Sequence, residues 1–505
     1  MFLGLGLVAV LHHEPWRDEI EIWLIARDSA NLGELLHNMR TEGHPMLWYL
    51  VNFGLTRVTR DPLAMQLVNL AIGAGAALVF FRAAPFGLAA RLLFPFSYFA
   101  LFEFTVIARS YALGLLLLFA FCARASRHEQ KIDLPGAALL ALLANTNLFG
   151  TIAAVALVSV DAFEAIAANP RGRLALLAKR LPALGLASFG AAVGLSHVLA
   201  QSLAIGPTHG GGYPPGYDLD WLLGCLATLT FGTLPLPNPA TEHLWNSNVM
   251  LILPPPWNPL IPALVAVGLV TAGALALRQR PRWLATFLLG LAPMLALTLF
   301  VYFGSARHHG QPFLWFLACA WLAGGLRREA GAPGGPPRAA ESLLVGVLAL
   351  QVIAGATLLA TDYARPFSSA RAAAAWLERP EYSDTLLVGS IDYAVEPIAA
   401  WTRRPLYYPE QRRFGTFMDW SASRQRVPMS QALEDGVELF RRESRSVVLV
   451  LNKPYIMLPL GGWVALRPDV HARYVARFVG AIVPDENYHV FLLYDPRRSE
   501  QPTER

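Results

Sequence analysis

About eleven apolar runs, most near the length of a bilayer crossing, dominate this chain and leave it few ways to fold. They fall at 1–11, 62–81, 92–102, 110–123, 134–149, 151–168, 181–203, 259–277, 283–303, 312–326 and 341–360. In lipid every backbone polar group must be satisfied within the protein, so such runs fold as helices. Composition agrees with a polytopic membrane protein. Of 505 residues, 54% are hydrophobic and only 15% charged, against about 25% charged in soluble domains. The formal net charge of +5 is not a nucleic-acid signal, because the arginines sit mostly in short loops between apolar runs. Cys122, Cys225 and Cys319 lie in or beside apolar runs at no metal-like spacing. Neither a disulfide framework nor a zinc site follows. The opening run is short, with no basic flank or small-residue cleavage site, and reads as a clipped or uncleaved first helix.

The loops alternate in character. Arg82 and Arg91, Arg124 to Lys131, Arg171 to Arg180, Arg278 to Arg282, and Arg327 to Arg338 mark five basic loops. Those between them are long, aromatic or rich in Pro and Gly. The positive-inside rule places the basic set in the cytoplasm, the N-terminus with it, and the C-terminal region outside. Counting His44-Pro45-Met46-Leu47-Trp48-Tyr49-Leu50-Val51-Asn52 as a span would break the alternation. That segment reads instead as an interfacial helix on the outer face, within an outer loop at 12–61. Loops of that length, about 50 residues, are functional or disordered, and this one is too aromatic for disorder.

From about Asp362 the pattern shifts. Short β-branched runs at 385–391, 446–451 and 489–494 alternate with amphipathic stretches at 368–379, 431–442 and 470–479. This predicts a compact α/β domain over 362–505, following a membrane domain over 1–361.

Ionisable residues beside a bilayer are costly and by default functional. The densest group is Trp16-Arg17-Asp18-Glu19-Ile20-Glu21, followed by Glu42-Gly43-His44-Pro45. A solvated helix start is one reading. The other is a general base that deprotonates an acceptor hydroxyl, its pKa set by burial or by Arg17 or Arg27. Glu21 faces away from Asp18 if the segment is extended, and lies about 100° per residue onward if helical. Glu103 and Arg109-Ser110-Tyr111 occupy a short outer loop, either as a structural ion pair or with Arg109 offering a donor fork to a phosphate. Arg307-His308-His309-Gly310 follows the 283–303 run. Adjacent histidines rarely converge on one ion, so phosphate capture by Arg307 with His308 is favoured over a metal site. An outer loop from Gly206 to Asn258 is expected, and its Thr208-His209-Gly210-Gly211-Gly212-Tyr213-Pro214-Pro215 stretch suits a mobile lid or an ordinary connector. Tyr407-Tyr408-Pro409-Glu410-Gln411-Arg412-Arg413-Phe414 suits a solvated loop or a stacking cap over a sugar.

The order of these motifs resembles the GT-C membrane glycosyltransferases: an Asp-Glu pair after the first span, a His-Pro outer helix, then an Arg-Ser-Tyr outer loop. The bacterial branch of the protein O-mannosyltransferase and lipid A aminoarabinose transferase superfamily looks nearest. The resemblance is strongest over 14–50 and 100–115 and diffuse elsewhere up to about 330. It implies transfer from a polyprenyl-phosphate-linked sugar to an extracytoplasmic glycan, lipid or protein acceptor, in a bacterial inner membrane. Asp18 matches the catalytic carboxylate, with Glu19 beside it and Glu103 as a second acid. Arg17, His44, Arg109, Tyr111, Arg307 and His308 are the candidate substrate-binding residues. No nucleotide site is required, no cofactor is implied with certainty, and a divalent metal is left open. Departures are Pro45-Met46 where a double proline is usual, and the α/β terminal domain. The alternatives are a lipid-linked glycan polymerase or ligase, and a secondary transporter; the latter predicts polar midplane positions and related halves, which the sequence lacks.

Overall fold

The structure is a computed structural model that describes residues 1–127, 131–167, 173–205, 216–326, 338–443, 445–454 and 458–497. Among the described residues, every apolar run read from the sequence is largely helical. Among the described residues, seven helices are long and apolar enough to cross a membrane: Leu63–Ala83, Leu88–Val106, Leu148–Ala167, Ala178–Ala204, Trp257–Leu277, Pro281–Phe300 and Ala339–Ala364. Phe2–His12, Ser110–Ala125 and Leu134–Ala144 are shorter apolar helices, as is Gln311–Leu322. The chain is a multi-pass membrane protein with a C-terminal sheet domain. The Thr208 to Pro215 stretch, and Arg171, Arg327 and Arg328 of the basic loops, lie outside the described residues.

Small residues let the helices approach closely. A Cβ on Gly73 would fall 2.0 Å from Thr105 Oγ1, and one on Gly190 2.3 Å from the Ala141 Cβ. The end of the Leu88–Val106 helix is not regular. Over Tyr98–Val106 its turns widen to i→i+5 bonds, as in Ile107 N–H to Phe102 O at 3.2 Å. Wide turns leave carbonyls without helical partners, and such turns gather at functional sites. Asn69 collects these carbonyls: its Nδ2 donates to Phe104 O, Thr105 O and Ile107 O at 2.8, 2.9 and 3.2 Å. The exit at 107–109 is therefore held rigidly, and it carries Arg109.

Two expectations need correction. The outer loop expected over 206–258 contains an apolar helix, Leu219–Thr233. Tyr217 before it packs on Phe300, and Trp245 after it packs edge-on against Trp16 at 4.8 Å. Both flanks thus lie toward the same end of the bundle, while Thr233 O accepts from Gln351 in the middle of a long helix. The helix dips into the bundle and the chain returns, so the alternation of loops survives. At the opposite end Arg124 pairs with Asp133, and Arg180 and Arg282 reach Asp161 at 3.1 and 3.4 Å.

The second correction concerns 470–479, read as an amphipathic stretch of helical type. It is a strand, and its burial alternates with period two: Val470, Ala472, Tyr474 and Ala476 face inward. The domain's strands are β1 (Leu386–Ser390), β2 (Leu406–Tyr408), β3 (Arg413–Gly415), β4 (Val447–Leu451), β5 (Trp463–Arg467), β6 (Val470–Phe478) and β7 (Tyr488–Tyr494). They form one sheet in the order β3-β2-β1-β4-β7-β6-β5, with β1, β2 and β4 parallel. Helices Ala370–Leu377 and Asp392–Thr402 cover one face and Met429–Glu443 the other.

The outer segment between Phe2–His12 and Leu63–Ala83 folds into helices Arg17–Asp28, Leu32–Asn38 and Leu47–Thr56. Asp392–Thr402 packs on Arg17–Asp28 through Ile20, Leu24 and Ala400. Arg40 and Thr41 bond Asp419 at 2.7 and 3.0 Å, and Thr416 bonds Asp28 at 2.6 Å. The sheet domain is thus fastened to the N-terminal outer helices.

Beneath this junction lies a buried ionic chain. His13 bridges Asp362, through Nδ1 at 2.8 Å, and Glu19, through Nε2 at 3.1 Å. Burial opposes charge on the imidazole, but Asp362 and Glu19 outweigh it and push its pKa up to about 10. A group raised from 6.5 to about 10 adds stability that is complete below 6.5 and lost as pH rises through 10. His13→Ala leaves two buried carboxylates without their cation and is expected to cost about 3–5 kcal/mol. Thermal melts in detergent should show the wild-type melting temperature falling as pH rises toward 10, with the part of that fall above pH 8 largely absent from the variant.

Candidate active site

Pro15 and an extended Trp16 stop the first helix, and a new one starts at Arg17. Glu19, at the third position, reaches back to the Trp16 N–H at 3.3 Å, and acids in the first turn suit the helix dipole. Helical spacing then decides what each acid faces. Asp18 and Glu21, three apart, share the face that borders a cavity of about 810 Å³. Glu19 turns into the core, fully buried, where it also accepts from Ala108 N–H at 2.6 Å. It positions Asp18 and the 107–109 exit but does not line the cavity.

Asp18 Oδ2 accepts from Arg109 and from Arg307, the latter at 2.8 Å. Arg109 also donates to His44 Nε2 at 3.1 Å. Burial alone raises the Asp18 pKa, but Arg109, Arg307, Arg17 and His44 together hold the carboxyl below its ordinary range. Two buried guanidiniums thus share one carboxylate, and each keeps a buried Nε–H without a partner among the described residues. The floor carries surplus positive charge and unspent donors, which is what a phosphate needs.

His308 contributes shape and a donor, not charge. Its Nδ1 accepts from Ser305 N–H at 3.0 Å, so Nε2 carries the hydrogen and donates to the Tyr111 hydroxyl at 3.0 Å. Burial, then Arg307 and His309, depress its pKa well below the usual value. Arg17 lines the cavity too, yet it is engaged outward: its guanidinium pairs with Asp485 and its N–H donates to Glu486 at 2.9 Å.

Glu103 does not pair with Arg109 and does not line the cavity. Its Oε2 accepts from the Tyr98 hydroxyl at 2.6 Å and from Trp245 Nε1 at 3.0 Å. The carboxylate fixes Trp245 against Trp16, and so supports the floor from behind.

Several lining residues escaped the sequence reading. Asn147 enters from the break between Leu134–Ala144 and Leu148–Ala167. Glu42 faces Glu21, and its Oε2 accepts from the Tyr49 hydroxyl at 3.3 Å. Burial, then the neighbouring Asp18, pushes Glu21 up to about 8; burial, then Glu21, lifts Glu42 well above the carboxylate range. These two acids were quoted in the cluster, but only a fold reveals that they meet. Tyr393, Glu396, Glu410, Trp420 and Arg424 come from the sheet domain, whose docking no local pattern announces. Of the 407–414 motif only Glu410 reaches the cavity; Tyr407 and Tyr408 pack into the domain's cores.

Among the described residues no group of three His, Cys, Asp or Glu side chains is placed to hold a metal.

No family model matches the chain, and no curated protein matches it. Among solved structures it is similar to the crystal structure of ArnT from Cupriavidus metallidurans bound to undecaprenyl phosphate. The identity is 15%, the TM-score 0.37, and 97% of each chain is covered. A likeness at that level says nothing of chemistry; the residues themselves must.

The Glu21 carboxyl keeps its proton to about pH 8 in the folded chain, against 4.5 unfolded. The folded state therefore binds the extra proton, and stability falls as pH rises from 4.5 through 8. Glu21→Gln removes that fall. Its melting temperature should match wild type near pH 4.5 and exceed it at pH 9.

Proposed function

We propose that this chain is an integral membrane glycosyltransferase of the GT-C type, moving a sugar from a polyprenyl-phosphate donor to a hydroxyl on an extracytoplasmic acceptor. The observation that carries the reading is the clasp of Asp18 by Arg109 and Arg307 at the floor of the cavity. The cavity lies between apolar helices, which suit a polyprenyl tail, and a polar domain. Its size, about 810 Å³, falls within the range of about 300–1,000 Å³ typical of ligand sites.

The donor phosphate takes up the two guanidiniums, with His44 beside them and the Tyr111–His308 pair as a neutral wall. As the phosphate draws on Arg109 and Arg307, their hold on Asp18 weakens and the carboxylate becomes a stronger base. The acceptor oxygen attacks the anomeric carbon while Asp18 takes its proton. The bond from that carbon to the phosphate oxygen breaks, and polyprenyl phosphate departs with the negative charge, balanced by the arginines. In-line attack inverts the anomeric centre. The bilayer is a bacterial inner membrane, with the N-terminus cytoplasmic and the sheet domain periplasmic.

A transfer assay on purified protein, with a panel of radiolabelled polyprenyl-phosphate sugars, tests this reading. Asp18→Asn should lower turnover by about 10²–10⁴-fold while retaining lipid-phosphate binding. Arg109→Gln and Arg307→Gln should each weaken donor binding by about 10–100-fold. Transfer from nucleotide sugars alone, or full turnover in Asp18→Asn, would refute it.

A further inference from the structure

The upper wall of the cavity differs in chemistry from its floor. Aromatic rings and guanidiniums alternate along one side. Arg307 lies over the Trp16 ring at 5.4 Å, and Arg17 over Trp16 and Tyr393 at 5.1 and 5.0 Å. Arg424 continues the series over Tyr393 and Trp420 at 5.9 and 4.7 Å. The Tyr393 and Trp420 rings lie 22° from parallel with centroids 5.8 Å apart. That gap admits no third ring, so Tyr393 supports Trp420 as one stack.

Arg424, which backs this surface, is committed elsewhere. Its Nε and terminal nitrogen donate to the two oxygens of buried Asp392 at 2.9 and 2.7 Å. The pair is neutral as a unit and holds both rings from behind. Facing the cavity beside the rings are two buried carboxyl groups. Glu396 accepts from Met418 N–H at 3.0 Å, and Glu410 accepts from the Ser390 hydroxyl at 2.9 Å. Glu410 Oε2 is buried with no hydrogen-bond partner among the described residues, although the side chain lines the cavity and only 2% of the residue is exposed.

We propose that the sheet domain carries a saccharide subsite in which Trp420, propped by Tyr393, stacks against a sugar ring and Glu396 and Glu410 bond its hydroxyls. A pyranose has an apolar face of C–H groups and an edge of hydroxyls, and this wall offers a partner for each. The subsite takes a neutral glycan. Arg424 is spent on Asp392, and Arg426, the further guanidinium lining this side, is exposed to water, so an anionic sugar set against the rings meets the Glu396 and Glu410 carboxyls. Burial raises the pKa of both, with Glu21 and Asp392 respectively as the next cause, and a protonated carboxyl both donates to and accepts from a hydroxyl. The subsite deepens the transferase reading, in that it holds the acceptor whose hydroxyl is delivered to Asp18.

Ligand-observed saturation-transfer NMR on the full-length protein in nanodiscs tests this. The probes are mannotriose, maltotriose, a trimer of glucuronic acid and a Ser/Thr-rich peptide. The expected result is saturable binding of at least one neutral trisaccharide, weakened about tenfold or more in Trp420→Ala and Tyr393→Ala. Trp420→Phe should restore part of it, and Trp463→Ala, an exposed aromatic elsewhere on the domain, should leave it unchanged. Melting temperature and polyprenyl-phosphate binding of Trp420→Ala report its integrity. The proposal is overturned if no neutral trisaccharide binds, if only the uronate or the peptide binds, or if binding ignores Trp420 and Tyr393. Saccharide binding without any binding of polyprenyl phosphate would instead sink the donor assignment and leave the subsite standing.

Discussion

One carboxylate shared between two guanidiniums organises this molecule. Asp18 meets Arg109 across 91 residues of chain and Arg307 across 289. Ions taken out of water carry a desolvation cost of several kcal/mol each, and a stoichiometry of two cations to one anion does not cancel charge. An arrangement built only for stability would end in a balanced pair. This one leaves surplus positive charge, which the proposed donor phosphate would complete, and the fold goes to some length to hold it. Asn69 ties down the exit that carries Arg109, Glu19 pins that exit to the helix bearing Asp18, and His13 anchors Glu19 to Asp362.

The sheet domain is part of the same construction. Arg17 stands at the joint, reaching Asp485 on one side and stacking between Trp16 and Tyr393 on the other. The cavity consequently has two ends of opposite character. Cationic donors and apolar helices lie at the floor, and carboxyl groups and rings at the upper wall. Such a division suits the proposed transfer from a lipid phosphate to a polyol, and the domain that supplies the upper wall is not an appendage.

Much of this was legible in the chain. Apolar runs are a long-range property of lipid solvation and need no tertiary information, so the runs read fold largely as helix, although 134–149 breaks at 145–147. Asp18, Arg109 and Arg307 were legible as costly ions at the ends of such runs. What failed did so for physical reasons. Leu219–Thr233 is too short and too polar at its flanks to stand out as a span. The 470–479 stretch fits helical and strand periods alike until its pairing with β7 is known. Glu103 and Glu19 were counted with the reacting groups because sequence shows that an acid is near a membrane, not whether it faces a cavity or the core behind it. Tyr393 and Trp420 carried no signal at all, since their role exists only once the domain docks on Arg17–Asp28.

The most direct measurement is a structure determined by electron cryo-microscopy with polyprenyl phosphate bound in nanodiscs. The account predicts phosphate oxygens within about 3 Å of the guanidiniums of both Arg109 and Arg307, with the lipid tail running along the apolar helices. A phosphate bound elsewhere on the protein, with Asp18 still holding both arginines, would contradict it.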